Sequence, residues 1–362
     1  MKKATLVLDD GTRLEGESFG YDGNVAGEVV FNTAMTGYPE SLTDPSYAGQ
    51  LMTLTYPLVG NYGVPSSAEK DGDIESFMES SRIHASGIIV SDYSEVYCHW
   101  NAKESLADWL KREKVPGITG IDTRHLTQIL REHGVMTGKI IVDGAGPEPA
   151  DIDYNSINYV DLVSVREAKR FRPDGVDNPK KVVLVDCGAK NNIIRCLLNR
   201  GAEVILVPWN FDFNTLDFDG LFLSNGPGNP EACPEAVDNI RKFISNPEEK
   251  RPLMGICMGN QLLAKAAGAT IYKLKYGHRS HNQPVRMEGS NRCFITSQNH
   301  GFAVDPSTLE SDWEPYFTNM NDGSNEGIRH KSKPWFSSQF HPEACGGPVD
   351  TEFLFDQFIK LL

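Results

Sequence analysis

Pro252-Leu253-Met254-Gly255-Ile256-Cys257-Met258-Gly259, followed closely by Gln261-Leu262-Leu263-Ala264-Lys265-Ala266-Ala267, is the stretch from which the fold of this 362-residue chain can be read. An apolar run of strand length meets a helix-like run, and the junction between them is Gly-x-Cys-x-Gly. This pattern predicts a sharp strand-to-helix turn, the cysteine form of the nucleophile elbow, which exposes the sulfur. The unpaired N–H groups and partial positive charge at a helix start favour the thiolate, the form of cysteine that attacks. Gly255 and Gly259 keep bulk away from the turn. The backbone N–H of Met258 is placed to donate to a developing oxyanion, and the loop Ser224-Asn225-Gly226-Pro227-Gly228-Asn229-Pro230 can supply the second donor that such elbows use.

Upstream, Lys181-Val182-Val183-Leu184-Val185-Asp186 is an apolar, β-branched run of the kind buried in a parallel sheet. Asn192 to Leu198 reads as the helix after it, and Ala202 to Val207 as the next strand, which makes a βαβ unit. Leu221-Phe222-Leu223-Ser224 and Leu253-Met254-Gly255-Ile256 repeat the strand pattern, each ending in a loop with a candidate site residue. In open parallel sheets ligands sit at the carboxyl ends of the strands, where these loops lie.

Across a long insertion the chain carries His341-Pro342-Glu343. His341 is the candidate base for Cys257. In extended chain, side chains two apart share a face, so Glu343 is expected to reach the imidazole and hold the tautomer that accepts the thiol proton. Alone, each of these residues has a bland reading, since a lone cysteine is usually an inert core residue. Elbow and His-x-Glu in order within an α/β pattern select the catalytic one.

Residues 1–145 open with the β-rich stretches Ala4-Thr5-Leu6-Val7-Leu8 and Gly27-Glu28-Val29-Val30-Phe31-Asn32, on either side of a turn at Asp9-Asp10-Gly11-Thr12. Helical spacing follows over residues 105–110 and, behind an Asp122/Thr123 cap, over residues 123–131. Residues 146–179 are polar and turn-rich and are expected to link this domain to one over 180–362. The fold class expected is α/β: a carboxyl-terminal, mostly parallel sheet with flanking helices, preceded by a smaller β-rich α/β domain.

A net charge of −14 argues against nucleic acid or an anionic membrane surface as partner, both of which call for basic patches. No apolar run is long enough to span a bilayer, and the first residues lack a signal-peptide pattern, so a cytoplasmic location is expected. Seven cysteines with no close pair at metal-ligand spacing read as free thiols. The nearest approach to a phosphate-binding loop, Gly134 to Ile140, is one residue short and lacks the hydroxyl for magnesium. His278 and His281 stand at a turn's spacing without a third ligand, so no metal is expected.

Residues 181–362 resemble the class I (triad) glutamine amidotransferases. The whole chain resembles the family of small, glutamine-hydrolysing subunits of carbamoyl phosphate synthetases. The second resemblance rests on Thr36-Gly37-Tyr38-Pro39-Glu40, Thr43-Asp44-Pro45-Ser46-Tyr47, Gly120-Ile121-Asp122-Thr123-Arg124, Tyr276-Gly277-His278-Arg279 and Thr296 to Phe302. It implies that Cys257, His341 and Glu343 form the triad, and that Ser46, Gly226, Gly228, Met258, Gln261, Asn299, Gly301 and Phe302 line a pocket for L-glutamine. It also implies a separate large subunit that binds ATP and magnesium, takes ammonia through a tunnel and makes carbamoyl phosphate for arginine and pyrimidine synthesis. No cofactor is expected in this chain. One departure stands out: Asn260 occupies a position that is His in many class I members, and an amide cannot titrate. Two other classes share the elbow. A stand-alone cysteine hydrolase or γ-glutamyl peptidase would not need residues 1–145, and a non-catalytic scaffold would not need the complete Cys, His and Glu set.

Overall fold

The computed structural model describes residues 1–362, which divide into two compact units, Met1–Ile157 and Asn158–Leu362. In the first, seven strands close into a barrel in the order Lys2–Leu8, Met136–Val142, Val25–Asn32, Gln50–Leu54, Gly87–Ile89, Gly117–Thr119, Arg13–Ser18. Neighbouring residues of one strand feed two cores. Val29, Leu51 and Ile89 join Leu6, Ile118 and Ile140 in one, while Val30, Met52 and Ile88 join Leu106, Trp109 and Leu110 of a helix in the other. That double burial is why Val29-Val30-Phe31 is a continuous apolar run rather than an alternating one. Both expected helices form, Leu106–Glu113 and Thr123–His133, and the caps are the side chains of Ser105 and Asp122, which accept from the N–H groups of Asp108 and His125.

The second unit is built on a ten-stranded sheet. Its centre is a parallel run in the order Glu203–Pro208, Lys181–Asp186, Gly220–Leu223, Leu253–Ile256, Trp335–Ser338. The insertion between elbow and His341 extends this sheet with four antiparallel strands, Ile271–Met287, Cys293–Val304, Trp313–Asn319 and Asn325–His330. Leu221 and Leu223 point into a core with Val237, Ile240 and Phe243 of helix Pro234–Ile244 and Leu262 and Leu263 of helix Met258–Ala266. Phe222 faces the other way, its ring 5.6 Å from Phe355 and 5.3 Å from Phe358 of helix Phe353–Ile359. The sheet is thus covered by helices on both faces.

The stretch 146–179 is more structured than a linker. Asn158 caps the helix Tyr159–Val163, and Lys169–Phe171 pairs antiparallel with Glu203–Pro208 at the sheet edge. The N–H of Val165 donates to the Asp186 carboxylate at 2.7 Å. These bonds go to residues distant in sequence, and a polar segment gives no local sign of them. No helix is long and apolar enough to cross a membrane.

Replacing Phe222 by Ala removes a fully buried ring from the helix-covered face of the sheet. We expect a loss of about 3–5 kcal/mol in the unfolding free energy of the second unit, measured by urea denaturation followed by tryptophan fluorescence. A loss below about 1 kcal/mol would mean that this face is not tightly packed.

Candidate active site

The parallel strands run in the spatial order two, one, three, four, five when numbered along the chain, so the winding reverses between Lys181–Asp186 and Gly220–Leu223. A crevice opens at such a switch point, beyond the carboxyl ends of the strands. The loops after four of these strands build the site.

Strand Leu253–Ile256 ends at Cys257, which sits at φ 53°, ψ −101°, a conformation rare for a side-chain-bearing residue. Helix Met258–Ala266 starts immediately after it. The turn is held on both sides: the Cys257 N–H donates to the Ser338 carbonyl at 2.8 Å, and the Gly259 N–H to the Ser224 carbonyl at 2.9 Å. A Cβ on Gly259 would overlap the Leu223 carbonyl oxygen, and one on Gly255 would lie 2.8 Å from the Gly259 carbonyl oxygen. The two glycines therefore permit strand and helix to touch backbone to backbone. The N–H of Met258, one residue past the sulfur, makes no hydrogen bond.

The Cys257 thiol donates to the Asn299 carbonyl at 3.7 Å. His341 is buried, with its Nδ1 2.7 Å from Glu343 Oε1, whereas its Nε2 has no hydrogen-bond partner. The expected pairing is present but its cause differs. His341-Pro342-Glu343 is a tight turn, not extended chain: the Ala344 N–H returns to the His341 carbonyl at 3.2 Å, with Pro342 at the position where its fixed φ suits a turn.

Lys190, absent from the sequence reading, completes the group. Its Nζ lies 2.9 Å from the same Glu343 oxygen, and its backbone N–H donates to the Asn225 side chain at 3.1 Å. Asn192 donates to the Glu343 backbone carbonyl. Burial by itself opposes charge on Glu343, but Lys190 and then His341 outweigh it and hold the carboxyl at about 2. Burial likewise opposes the imidazolium of His341, yet Glu343 prevails over it and over Lys190, and the pKa rises to about 10. The only local hint of Lys190 was its place just after a buried strand end, in Asp186-Cys187-Gly188-Ala189-Lys190.

Of the residues expected around the substrate, Met258 and Gln261 are on the elbow helix, and Asn299, Gly301 and Phe302 are half-buried along strand Cys293–Val304. The Gln261 amide donates to the Phe302 carbonyl at 3.2 Å, and the Asn299 side-chain nitrogen is enclosed without a partner. Gly226 packs so closely on the Cys187 backbone that a Cβ would overlap its carbonyl oxygen, and Gly228 takes φ 84°. Ser46 belongs to the amino-terminal unit, where its N–H donates to the Asp44 carboxylate at 2.9 Å.

The stretches Tyr276 to Arg279 and Thr296 to Phe302 are strand neighbours, with His278 opposite His300. His278, His300 and Glu326 bring ligand atoms within 4.8 Å of one another, residue types that can ligate a cation. Each ring nitrogen already has a protein partner: Asp322 and Glu326 for His278, Phe302 and Gln298 for His300. Burial, then the neighbouring His278, press the His300 pKa well below the usual histidine range. His281, the other half of the histidine pair seen in the sequence, is outside this cluster.

The buried ion group has a pH signature. Glu343, held at about 2 against an ordinary 4.5, contributes stability that is complete above 4.5 and is lost as pH falls toward 2. His341, raised to about 10 from 6.5, contributes stability that is complete below 6.5 and is lost as pH rises toward 10. The unfolding free energies of wild type and Glu343→Gln should therefore converge as pH is lowered from about 4.5 to 2. A gap that stays constant in urea titrations across that range would reject the ion-pair account.

The profile of glutamine amidotransferase class-I matches residues 183–361, and that of the carbamoyl-phosphate synthase small chain, CPSase domain, matches residues 6–140. The chain is 50% identical over 363 residues to the carbamoyl phosphate synthase arginine-specific small chain of Saccharomyces cerevisiae, covering 98% of this chain and 88% of that one. It is 50% identical over 359 residues to the multifunctional protein CAD of Squalus acanthias, and 49% identical over 361 residues to the mitochondrial carbamoyl-phosphate synthase [ammonia] of Homo sapiens. These two matches take in 99% of this chain, which spans 16% and 24% of those longer relatives. The chain belongs to the carbamoyl phosphate synthase small-chain family, and its carboxyl-terminal half is a class I glutamine amidotransferase domain.

Proposed function

We propose that the chain hydrolyses L-glutamine at Cys257 and passes the ammonia to a large synthetase subunit. The observation that carries this reading is the unpartnered Nε2 of buried His341, whose other nitrogen is locked on Glu343 at 2.7 Å, in the site of a cysteine at a strained elbow. Overall similarity does not select the nitrogen source, since one relative is named for ammonia. The Cys257, His341 and Glu343 set does.

In the proposed reaction the proton of the Cys257–His341 pair sits on the imidazole, which Glu343 holds as the imidazolium, and the Cys257 sulfur attacks the side-chain amide carbon of glutamine as the thiolate. The charge that develops on the amide oxygen falls to the free N–H of Met258. The imidazolium, stabilised by Glu343, returns its proton to the nitrogen, and ammonia departs from a γ-glutamyl thioester. His341 then deprotonates water, which attacks the thioester carbon, and glutamate leaves as the thiol is restored. Lys190 keeps Glu343 ionised throughout. Gly226, Gly228, Gln261, Asn299, Gly301 and Phe302 would contact the substrate, with the unpaired Asn299 amide offering a donor.

The partner is inferred from the small-chain relative in yeast and from the match over residues 6–140. On this reading ATP and magnesium act in the large subunit, the chain itself holds no cofactor, and the complex works in the cytoplasm. A stand-alone hydrolase would be fully active alone. We expect instead a slow glutaminase that is accelerated when the large subunit is added.

Cys257→Ser should abolish glutamine hydrolysis, because a hydroxyl is a far poorer nucleophile in a site tuned for thiolate. Synthesis of carbamoyl phosphate from free ammonia should survive in the assembled complex. Wild-type use of glutamine by the variant would refute the assignment of the nucleophile.

His341→Asn should slow thioester formation by roughly a hundred- to ten-thousand-fold, the range for losing a general base. His300 has its Nδ1 2.8 Å from the Phe302 carbonyl, so His300→Asn should mainly raise KM for glutamine. Steady-state kinetics on both variants separates the roles; a larger kcat loss in His300→Asn would exchange them.

A further inference from the structure

Asn260, the residue that replaces the histidine common at this position, is fully buried on the elbow helix, as is Gln339 just past strand Trp335–Ser338. The oxygen of Gln339 accepts two hydrogen bonds, from the Asn260 amide at 2.9 Å and from the Gln261 amide at 3.2 Å. Asn260 in turn accepts from the Ser337 hydroxyl at 2.8 Å. At the other end, the same Gln261 nitrogen donates to the Phe302 carbonyl at 3.2 Å. A backbone carbonyl can only accept. The Phe302 end therefore fixes the direction of the chain: Gln261 must point its nitrogen outward, Gln339 must turn its oxygen to Gln261, and Asn260 must turn its nitrogen to Gln339.

We propose that Asn260 and Gln339 are positioning residues, a buried amide relay that sets the rotamer of Gln261 and the place of the Phe302 carbonyl on the glutamine-facing side of the site. The proposal rests on the glutaminase reading above. Two features favour a positioning role over packing alone. The Gln339 nitrogen is enclosed without a partner, a desolvation cost that an apolar residue of equal size would avoid. The Gln339 backbone N–H also donates at 2.8 Å to the carbonyl of Glu326, whose side chain contacts His278, so the relay ties the elbow helix to the antiparallel strands that carry Asn299 to Phe302. Asn260 can perform this task because an amide both donates and accepts without titrating.

The test is steady-state glutamine hydrolysis by the full chain as wild type, Asn260→Ala, Gln339→Met, the double variant and Ser337→Ala. Loss of the relay should raise KM for glutamine about tenfold in each of the first two, the factor given by about 1.4 kcal/mol, while kcat falls less than about threefold. The double variant should be no worse than Gln339→Met, since Asn260 acts only through Gln339. Effects that multiply in the double variant, or an unchanged KM in Gln339→Met, would overturn the relay. Should Gln339→Met fail to fold, Ser337→Ala decides: it loses one hydroxyl and should raise KM about two- to fivefold, and an unchanged KM counts against the proposal. A wild-type chain that forms no glutamate, alone or with the large subunit, overturns the glutaminase reading itself. Active wild type with a wild-type KM in the variants overturns the relay alone.

Discussion

A carboxylate with no exposed surface lies at the centre of the carboxyl-terminal unit. Glu343 is enclosed between the Lys190 ammonium at 2.9 Å and the His341 imidazole at 2.7 Å, both on the same oxygen. A buried charge of this kind is tolerable only with its partners in place, and removing one of them typically costs about 3–5 kcal/mol. The group therefore constrains the backbone that carries it. Lys190 fixes the loop after strand Lys181–Asp186, and His341 and Glu343 fix the turn after strand Trp335–Ser338, two strands separated in the sheet by Gly220–Leu223 and Leu253–Ile256. Whatever occupies the crevice between them meets walls that cannot shift independently.

The elbow is the second constraint, and it works through shape. Cys257 occupies a backbone region that costs roughly 1–3 kcal/mol, and it stays there because strand and helix are joined by carbonyls on neighbouring strands. Ser338 and Ser224 each hold one side of the turn, and Gly255 and Gly259 allow the close approach. The result is a sulfur at a helix start with a free N–H beside it, positioned before any substrate arrives. Strain and charge meet at one point: the strand that anchors the Cys257 N–H, through Ser338, is the strand that leads to His341.

The antiparallel extension supplies the remaining wall. Strands Ile271–Met287 and Cys293–Val304 pair with two breaks in register, after Lys273 and after Ser280, and between the breaks His278, Arg279 and Ser280 stand opposite His300, Asn299 and Gln298. Hydrogen bonds from His300 and Gln261 converge on the Phe302 carbonyl. The insertion is thus tied to the elbow helix by hydrogen bonds as well as to the sheet edge.

Much of this was legible in the sequence because it is local. Apolar runs of strand length, the cap at Asp122, and the glycines around Cys257 each act within a few residues, where period, capping and steric limits operate. The pairing of His341 with Glu343 was legible too, since the two are only two positions apart. What the tertiary structure alone decided is long-range. Lys190 reaches Glu343 across 153 positions, and Asn260 reaches Gln339 across 79. No periodicity records such pairs. The polar stretch 146–179 has the sequence signature of a linker because its partners, Asp186 and strand Glu203–Pro208, lie elsewhere in the chain. His341 and Glu343 were rightly paired on an argument from extended chain, yet Pro342 makes a turn there. Residue types and spacing determine which groups are available; the sheet order determines which of them meet, because burial makes each charge and amide seek the partner that only the folded chain brings within reach.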